Sequence, residues 1–100
     1  MDLRAFPADA CVDAGFQLRM VQSGDEPLDW KPLRGVGHGA MEIRVRRGGA
    51  FRVVYVAKFA DAVYVLHCFG KKTEKTSRTD IDLVIRRYGE MMALWKTEES

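Results

Sequence analysis

The stretch that decides the fold runs from Arg34 to Lys75 and reads RGVGHGAMEIRVRRGGAFRVVYVAKFADAVYVLHCFGKKTEK. It contains three runs rich in apolar and β-branched residues, separated by short turns, and such runs are typical of β-strands. Cations recur at alternate positions, and more cations stand where the third run ends. Because successive side chains of a strand point to opposite faces, we expect positive charge to gather on one side of a small sheet.

The three runs have clear boundaries. Residues 40–46 alternate, with one face made of Met41, Ile43 and Val45 and the other of Glu42, Arg44 and Arg46. Residues 51–59 alternate in the same way, with Arg52, Val54, Val56 and Lys58 on one face. Residues 62–69 are nearly all apolar, which predicts a strand covered on both sides. The short connections favour an antiparallel meander of three strands.

Helices are predicted on both sides of this sheet. Residues 8–22 carry apolar side chains at helical spacing, with Pro7 suited to the first helical position, and Ser23-Gly24 ends the run. Ser77 and Asp80 form a capping-box pattern before a second amphipathic run that reaches Trp95. Arg86 and Arg87 are expected on its solvated side, and the tail from Lys96 is expected to fray.

Residues 25–39 are predicted to form a loop, because they contain prolines and glycines and have no periodicity. The run Gly35–Gly39 does not fit a phosphate-binding glycine loop, since a strand follows it where that motif needs a helix. His38 is expected to be a solvated loop residue. Trp30 is expected to pin the loop to the body of the protein.

The totals describe one small globular domain, residues 1–100. The 100 residues are 47% hydrophobic and 30% charged, and the net charge is only +2. A nearly neutral chain with a local basic cluster favours specific docking over general coating of a polyanion. Cys11 and Cys68 have no metal-ligand spacing and are predicted to be free, as in a reducing compartment. No apolar run is long enough to span a membrane, so we expect a cytoplasmic protein.

Several motifs together resemble a known family. They are residues 29–33 (DWKPL), the glycines that follow, residues 42–46 (EIRVR), residues 51–59 (FRVVYVAKF), and residues 64–77 (YVLHCFGKKTEKTS) before a helix. In combination they resemble the phage-derived HigB-like branch of the RelE/ParE toxin superfamily, over about residues 3–92. The resemblance implies an α+β fold with a helix, an antiparallel sheet and a C-terminal helix.

The resemblance also implies a function. Members of this superfamily are toxins of bacterial or phage toxin–antitoxin pairs, and many of them cut messenger RNA on the ribosome. A partner antitoxin, often a helix-turn-helix protein, blocks them. Two departures stand out: the β-strand that members have before the first helix is expected to be absent here, and no tyrosine follows the basic string near Lys75.

Such cleavage needs no metal or cofactor, because the neighbouring 2′-hydroxyl of the RNA is the nucleophile. The protein has to accept a proton, stabilise charge on the phosphate and protonate the leaving oxygen. By resemblance, Arg52 with Lys71 and Lys72 would carry the catalytic charge, because guanidinium and ammonium groups match phosphate oxygens. The cations expected to hold the RNA backbone are Arg44, Arg46, Lys58 and Lys75.

The general base stays open at this point. Clustered cations would lower the pKa of a lysine, and His67 is the other candidate. A strand histidine with a hydrogen-bonded ring is the more common interpretation of His67. Two further functions also stay open: a ParE-like gyrase inhibitor without chemistry, and an inactive phage-derived module that only binds an antitoxin.

Overall fold

A computed structural model of the chain describes residues 6–33, 35–46, 50–59, 62–70 and 77–99, without the side chains of 58, 59, 62 and 95–99. Helix α1 (Ala8–Gln22) leads into β1 (Trp30–Pro32), β2 (Ala40–Val45), β3 (Phe51–Phe59) and β4 (Ala62–Gly70), and α2 (Arg78–Glu99) follows. The strands form one antiparallel sheet in the order β1-β2-β3-β4. The predicted α+β class is therefore confirmed. The expected absence of the family's first strand concerns the residues before α1, of which 1–5 lie outside the described part, so it stays a prediction.

The predicted loop 25–39 is wrong at one place, because it contains β1. Trp30 lies opposite Ile43 and Pro32 opposite Met41, so the sheet has four strands where three were expected. Backbone hydrogen bonds extend this pairing, from the Arg44 amide to the Asp29 carbonyl at 2.8 Å and from the Leu33 amide to the Ala40 carbonyl at 2.9 Å. Proline has no amide hydrogen to donate, which suits Pro32 to an edge strand.

The end of α1 and the start of α2 are each fixed by local hydrogen bonds. Gly24 has a φ of +87°, and the amides of Gly24 and Asp25 bond the carbonyls of Val21 and Met20, which is the Schellman pattern that ends α1. At the start of α2, the Asp80 amide donates to the Ser77 hydroxyl at 3.1 Å, and that hydroxyl lies 2.6 Å from Asp80 Oδ2. The predicted cap of α2 is confirmed.

The helices cover opposite faces of the sheet. We call the two sides the α1 face and the α2 face. On the α1 face, Ala10 and Ala14 pack against strand residues, which are Ile43, Val45, Val53, Tyr55 and Cys68. On the α2 face, Val84 and Met91 pack with another set, which is Ala40, Val54, Val56, Leu66 and Phe69. The alternation predicted for β2 and β3 is what produces these two layers.

The strand β4 does not alternate throughout. Val54 lies opposite His67, but the next residue, Tyr55, lies opposite Val65. Leu66 is therefore the extra residue of a β-bulge, which changes the side to which the following side chains point. Cys68 joins the α1 face, whereas Leu66 and Phe69 join the α2 face.

Candidate functional site

The α2 face carries charged side chains where a core is usually apolar. Glu42 lies opposite Val54, and Val54 lies opposite His67, so these residues form one row across three strands. In the next row Arg52 lies between Arg44 and Phe69. We call Glu42, Arg52 and His67, which stand in these two neighbouring rows, the polar cluster. All three side chains are buried.

Arg52 and Glu42 form an ion pair inside the protein. Arg52 Nε lies 3.0 Å from Glu42 Oε1, and Arg52 Nη1 donates a hydrogen bond to the Phe51 carbonyl at 3.0 Å. The Glu42 side chain is 0% exposed and that of Arg52 is 11% exposed. The pair is close, but its angles do not make a hydrogen bond, and Glu42 Oε2 has no hydrogen-bond partner among the described residues.

This geometry corrects the expected open cationic face. Glu42 was expected to point outward with Arg44 and Arg46, yet it is fully buried, because the α2 face is a second core rather than a solvated surface. The alternation placed Glu42 on the correct face of the sheet, but it did not show that α2 covers that face. Arg52 is accordingly held by a carboxylate and not free.

His67 connects the sheet to α2. Its Nε2 lies 2.8 Å from Asp80 Oδ1, and its ring stacks on Phe69 with centroids 5.0 Å apart. Arg87 Nη1 donates to the Leu66 carbonyl at 2.7 Å and lies 3.5 Å from His67 Nδ1. Because a guanidinium only donates, Nδ1 accepts here, so Nε2 carries the hydrogen that is donated to Asp80.

Asp80 is electrostatically tuned by these contacts. Burial acts to raise its pKa, but hydrogen bonds from Ser77 and His67 outweigh burial and lower the pKa of the carboxyl below its ordinary value. Asp80 thus stays ionised and orients the imidazole. A His–Asp pair can hold or transfer a proton, and it can equally serve only to fasten a helix.

The remaining predicted residues are more dispersed. Arg44 Nη1 lies 3.7 Å and Arg46 Nε 3.3 Å from the same carboxylate, Asp29, and both arginines keep exposed surface. Lys71, Lys72 and Lys75, and the Lys58 side chain, lie outside the described residues. Gly70 lies opposite Phe51, next to Arg52, and Lys71 follows Gly70 in the chain. These lysines therefore stay a prediction.

Sequence reasoning missed Glu42, Asp80 and Arg87 as members of this cluster. Asp80 was assigned only a capping role, although one oxygen faces Ser77 and the other His67. Arg87 was expected on the solvated side of α2 and instead donates into β4. Arg86 does lie on the exposed side, paired with Glu90. A carboxylate beside an arginine on the next strand was the one available signal for the buried pair.

The described residues contain neither a metal-binding cluster nor a membrane-spanning helix. No group of three or more His, Cys, Asp or Glu side chains there is arranged to hold a metal ion. In the same part of the chain, neither helix is apolar enough over a sufficient length to cross a bilayer. Cys11 and Cys68 are not joined by a disulfide; Cys11 is partly exposed and Cys68 is buried.

Comparison with known proteins gives one match. The family model described as "Phage derived protein Gp49-like (DUF891)" matches residues 1–89. No similar protein is found among curated proteins or among solved structures. The matched range includes α1, the whole sheet and the first half of α2, and with them every residue of the polar cluster.

Proposed function

This chain belongs to the phage-derived Gp49-like family, a toxin family of the RelE/HigB-like group, and on that premise we propose that it is the toxin of a type II toxin–antitoxin pair. We propose further that it is a ribosome-dependent endoribonuclease of the HigB-like branch, acting on messenger RNA in the cytoplasm. Its partner would be an antitoxin of the helix-turn-helix type. One observation carries the nuclease proposal: neighbouring strands bring a carboxylate, a guanidinium and an imidazole to the same sheet face.

These three groups match the needs of metal-independent RNA cleavage. The 2′-oxygen attacks the adjacent phosphorus, the bond from phosphorus to the 5′-oxygen breaks, and a cyclic phosphate and a free 5′-hydroxyl result. Arg52 would stabilise the extra charge on the phosphate through Nη2, with Glu42 fixing the plane of the guanidinium. His67, oriented by Asp80, would make one of the two proton transfers, from the 2′-hydroxyl or to the 5′-oxygen, and the amine of Lys71 or Lys72 would make the other.

Lys71 and Lys72 would complete the phosphate contacts in this proposal. Arg44, Arg46, Lys58 and Lys75 would hold the RNA backbone. The pairs of Arg44 and Arg46 with Asp29 are partly exposed and long, so a phosphate can compete with Asp29 at little cost. RNA binding of this kind weakens as salt concentration rises, because each phosphate contact releases counterions.

One feature favours a second candidate without chemistry. Arg52 and His67 are each engaged by a carboxylate and are at most 9% exposed as whole residues. A nucleotide would have to reach Arg52 through its exposed edge, and His67 would act only after α2 released Asp80. A ParE-like inhibitor of DNA gyrase, or an inactive module that binds only the antitoxin, needs no such access.

The test compares growth and RNA in bacteria that express matched variants. Arg52→Gln combined with Glu42→Gln removes both charges at once, so no buried charge is left unpaired. Lys71→Ala with Lys72→Ala leaves the described core untouched. Arg86→Gln serves as the control, since Arg86 is exposed and pairs with the exposed Glu90 on the same helix. Circular dichroism confirms that each variant folds.

The nuclease proposal expects growth arrest and new messenger RNA ends with the unmodified chain and with Arg86→Gln. Both double variants should lose most of the cleavage, on the order of a hundredfold or more if they remove a charge that acts in the transition state. Growth arrest with intact messenger RNA and inhibited supercoiling would replace the nuclease with the gyrase inhibitor. No arrest by the unmodified chain would leave only the antitoxin-binding module.

A further inference from the structure

A cavity of about 650 Å³ opens on the α1 face, beside the end of α1 and away from the polar cluster. Its walls are mostly apolar, and they include Val21, Pro27 and Met41. Two aromatic residues, Trp30 and Tyr55, line it as well, and two acidic residues, Asp25 and Glu26, stand at its rim with exposed side chains. Among the described residues, no lysine or arginine lines this cavity.

Tyr55 is the polar side chain that the middle of the sheet contributes to the wall of this cavity. It is only 3% exposed and lines the cavity, yet its hydroxyl forms no hydrogen bond within the described residues. This hydroxyl is not among the fully buried unpaired atoms of the described residues, so it is open to the cavity and can bond an occupant. Burial, and then the negative charge of Glu26, raise the pKa of Tyr55.

The lining selects one kind of occupant. Two carboxylates repel a nucleic acid backbone, so the cavity does not extend an RNA site. Aromatic faces beside carboxylates and an apolar wall suit a cation on an apolar stem, which is the chemistry of an arginine or lysine side chain. We propose that this cavity is a docking site for a basic side chain carried by an extended or helical segment of the antitoxin.

In the docked state the stem of the basic side chain packs against Val21 and Met41. Its cationic head lies between Glu26 and the ring of Trp30, and one of its N–H groups donates to the Tyr55 hydroxyl. The identity of the partner as an antitoxin rests on the proposed toxin function. The preference for a cation rests only on the cavity.

The experiment uses two peptides that differ in charge alone. One is Ac-Ala-Leu-Arg-Leu-Ala-amide, and the other replaces arginine by citrulline, which has the same shape and no charge. Each is titrated into the full ¹⁵N-labelled chain up to about 10 mM, because a single side chain gives weak binding, on the order of 1 mM. The indole resonance of Trp30 and the amide resonance of Tyr55 report the cavity.

The matched variants are Glu26→Gln, Tyr55→Phe and Asp9→Asn. Asp9→Asn changes the net charge as Glu26→Gln does, but Asp9 is exposed on α1 and does not line the cavity. We expect saturable shifts with the arginine peptide and binding at least about fivefold weaker with the citrulline peptide. Glu26→Gln should weaken arginine binding by a similar factor, Tyr55→Phe by about threefold, and Asp9→Asn by less than twofold.

Equal affinity for the two peptides, or shifts that Glu26→Gln leaves unchanged, would overturn the docking site. So would the absence of any saturable shift at Trp30 and Tyr55. The proposed function is judged separately, by growth arrest with the unmodified chain. Arrest without peptide binding therefore rejects the docking site alone, and peptide binding without arrest rejects the toxin alone.

Discussion

The two faces of the sheet differ in the buried charge that lies between the sheet and its helix. The buried polar side chain of α1, Gln17, is uncharged and accepts a hydrogen bond from the Asp29 amide at 3.3 Å. On the α1 face the buried cluster is made of hydrophobic side chains, and it includes the rings of Phe6 and Phe51 with centroids 4.6 Å apart. On the α2 face an apolar cluster surrounds charged groups that contact partners at defined atoms, such as His67 with Asp80. Apolar packing is non-directional and can adjust, whereas each polar contact depends on one geometry.

This difference separates a scaffold from a candidate site. A buried charged pair contributes little net stability compared with apolar residues of the same size. The α1 face shows what this sheet needs in order to fold, so the charges of the α2 face are better explained by function or by specificity. The predictions below test whether the two faces really differ in this way.

The largest expected effect comes from Arg52→Ala. It leaves the Glu42 carboxylate buried without its cation, which should cost about 3–5 kcal/mol of unfolding free energy. Replacing both residues by methionine should instead be neutral or stabilising. Urea unfolding measures both, and a loss below about 1 kcal/mol in Arg52→Ala would mean that water reaches the pair in solution.

Gly37→Ala should have the next largest effect, because it disturbs the contact between the loop and α2. A Cβ at this position would lie 2.5 Å from Tyr88 Cε1, and Tyr88 donates a 2.6 Å hydrogen bond to the His38 carbonyl. We expect a loss of about 1–3 kcal/mol. In a Tyr88→Ala background the same substitution should cost much less, and equal costs in both backgrounds would refute the clash.

A matched pair of substitutions compares the faces directly. Val53→Thr adds a hydroxyl to the α1 face, where the cluster offers it no charged partner, and should cost about 1–3 kcal/mol. Val54→Thr adds the hydroxyl beside Glu42, whose Oε2 has no donor among the described residues. It should cost about 1 kcal/mol less, as measured by thermal unfolding. Equal costs, or a larger cost for Val54→Thr, would show that the α2 face offers the added hydroxyl no better partner than the α1 face does.

The smallest effect is expected from Asp80→Asn, and it depends on pH. The pKa of Asp80 is below its ordinary value of 3.8 in the folded protein, so the folded state holds this proton less tightly than the unfolded chain does. Ionised Asp80 therefore contributes stability above about pH 4, and the contribution is lost as pH falls through the lowered value.

Asp80→Asn should accordingly cost about 1 kcal/mol at pH 7 and progressively less as the pH falls below about 4, as measured by urea unfolding between pH 7 and pH 2. Asp82→Asn, at an exposed position of the same helix paired with Arg78, is the control and should show a smaller, flatter effect. A constant difference between Asp80→Asn and the unmodified chain at every pH would mean that the carboxylate charge plays no part.

Much of the fold could be predicted because it depends on local patterns. The periodicity of residues 8–22 and of the run after Ser77 predicted both helices, and alternation predicted β2 and β3 and the sides of their residues. The parts of the fold that the sequence did not predict depend on non-local contacts. Strand β1 has three residues and one of them is Pro32, so only pairing with β2 makes it a strand.

The candidate site was less accessible to sequence reasoning for a related reason. Alternation puts Glu42 and Arg52 on one face but does not reveal that α2 covers that face. His67 and Asp80 are 13 residues apart, and Arg87 and Leu66 are 21 apart, so no local pattern predicts these contacts. The bulge at Leu66 has no signature within an apolar run, and it decides on which face His67 lies relative to Val63 and Val65.

That bulge makes the length of β4 matter more than the identity of many of its residues. Removing Leu66 would restore even alternation, and the residues before it would then trade faces relative to those after it. A substitution in β4 alters one side chain, whereas a one-residue deletion would move the side chains of half the strand to the opposite face of the sheet. During divergence of the family, we therefore expect gaps to be excluded from this strand and to collect in the turns on either side of it.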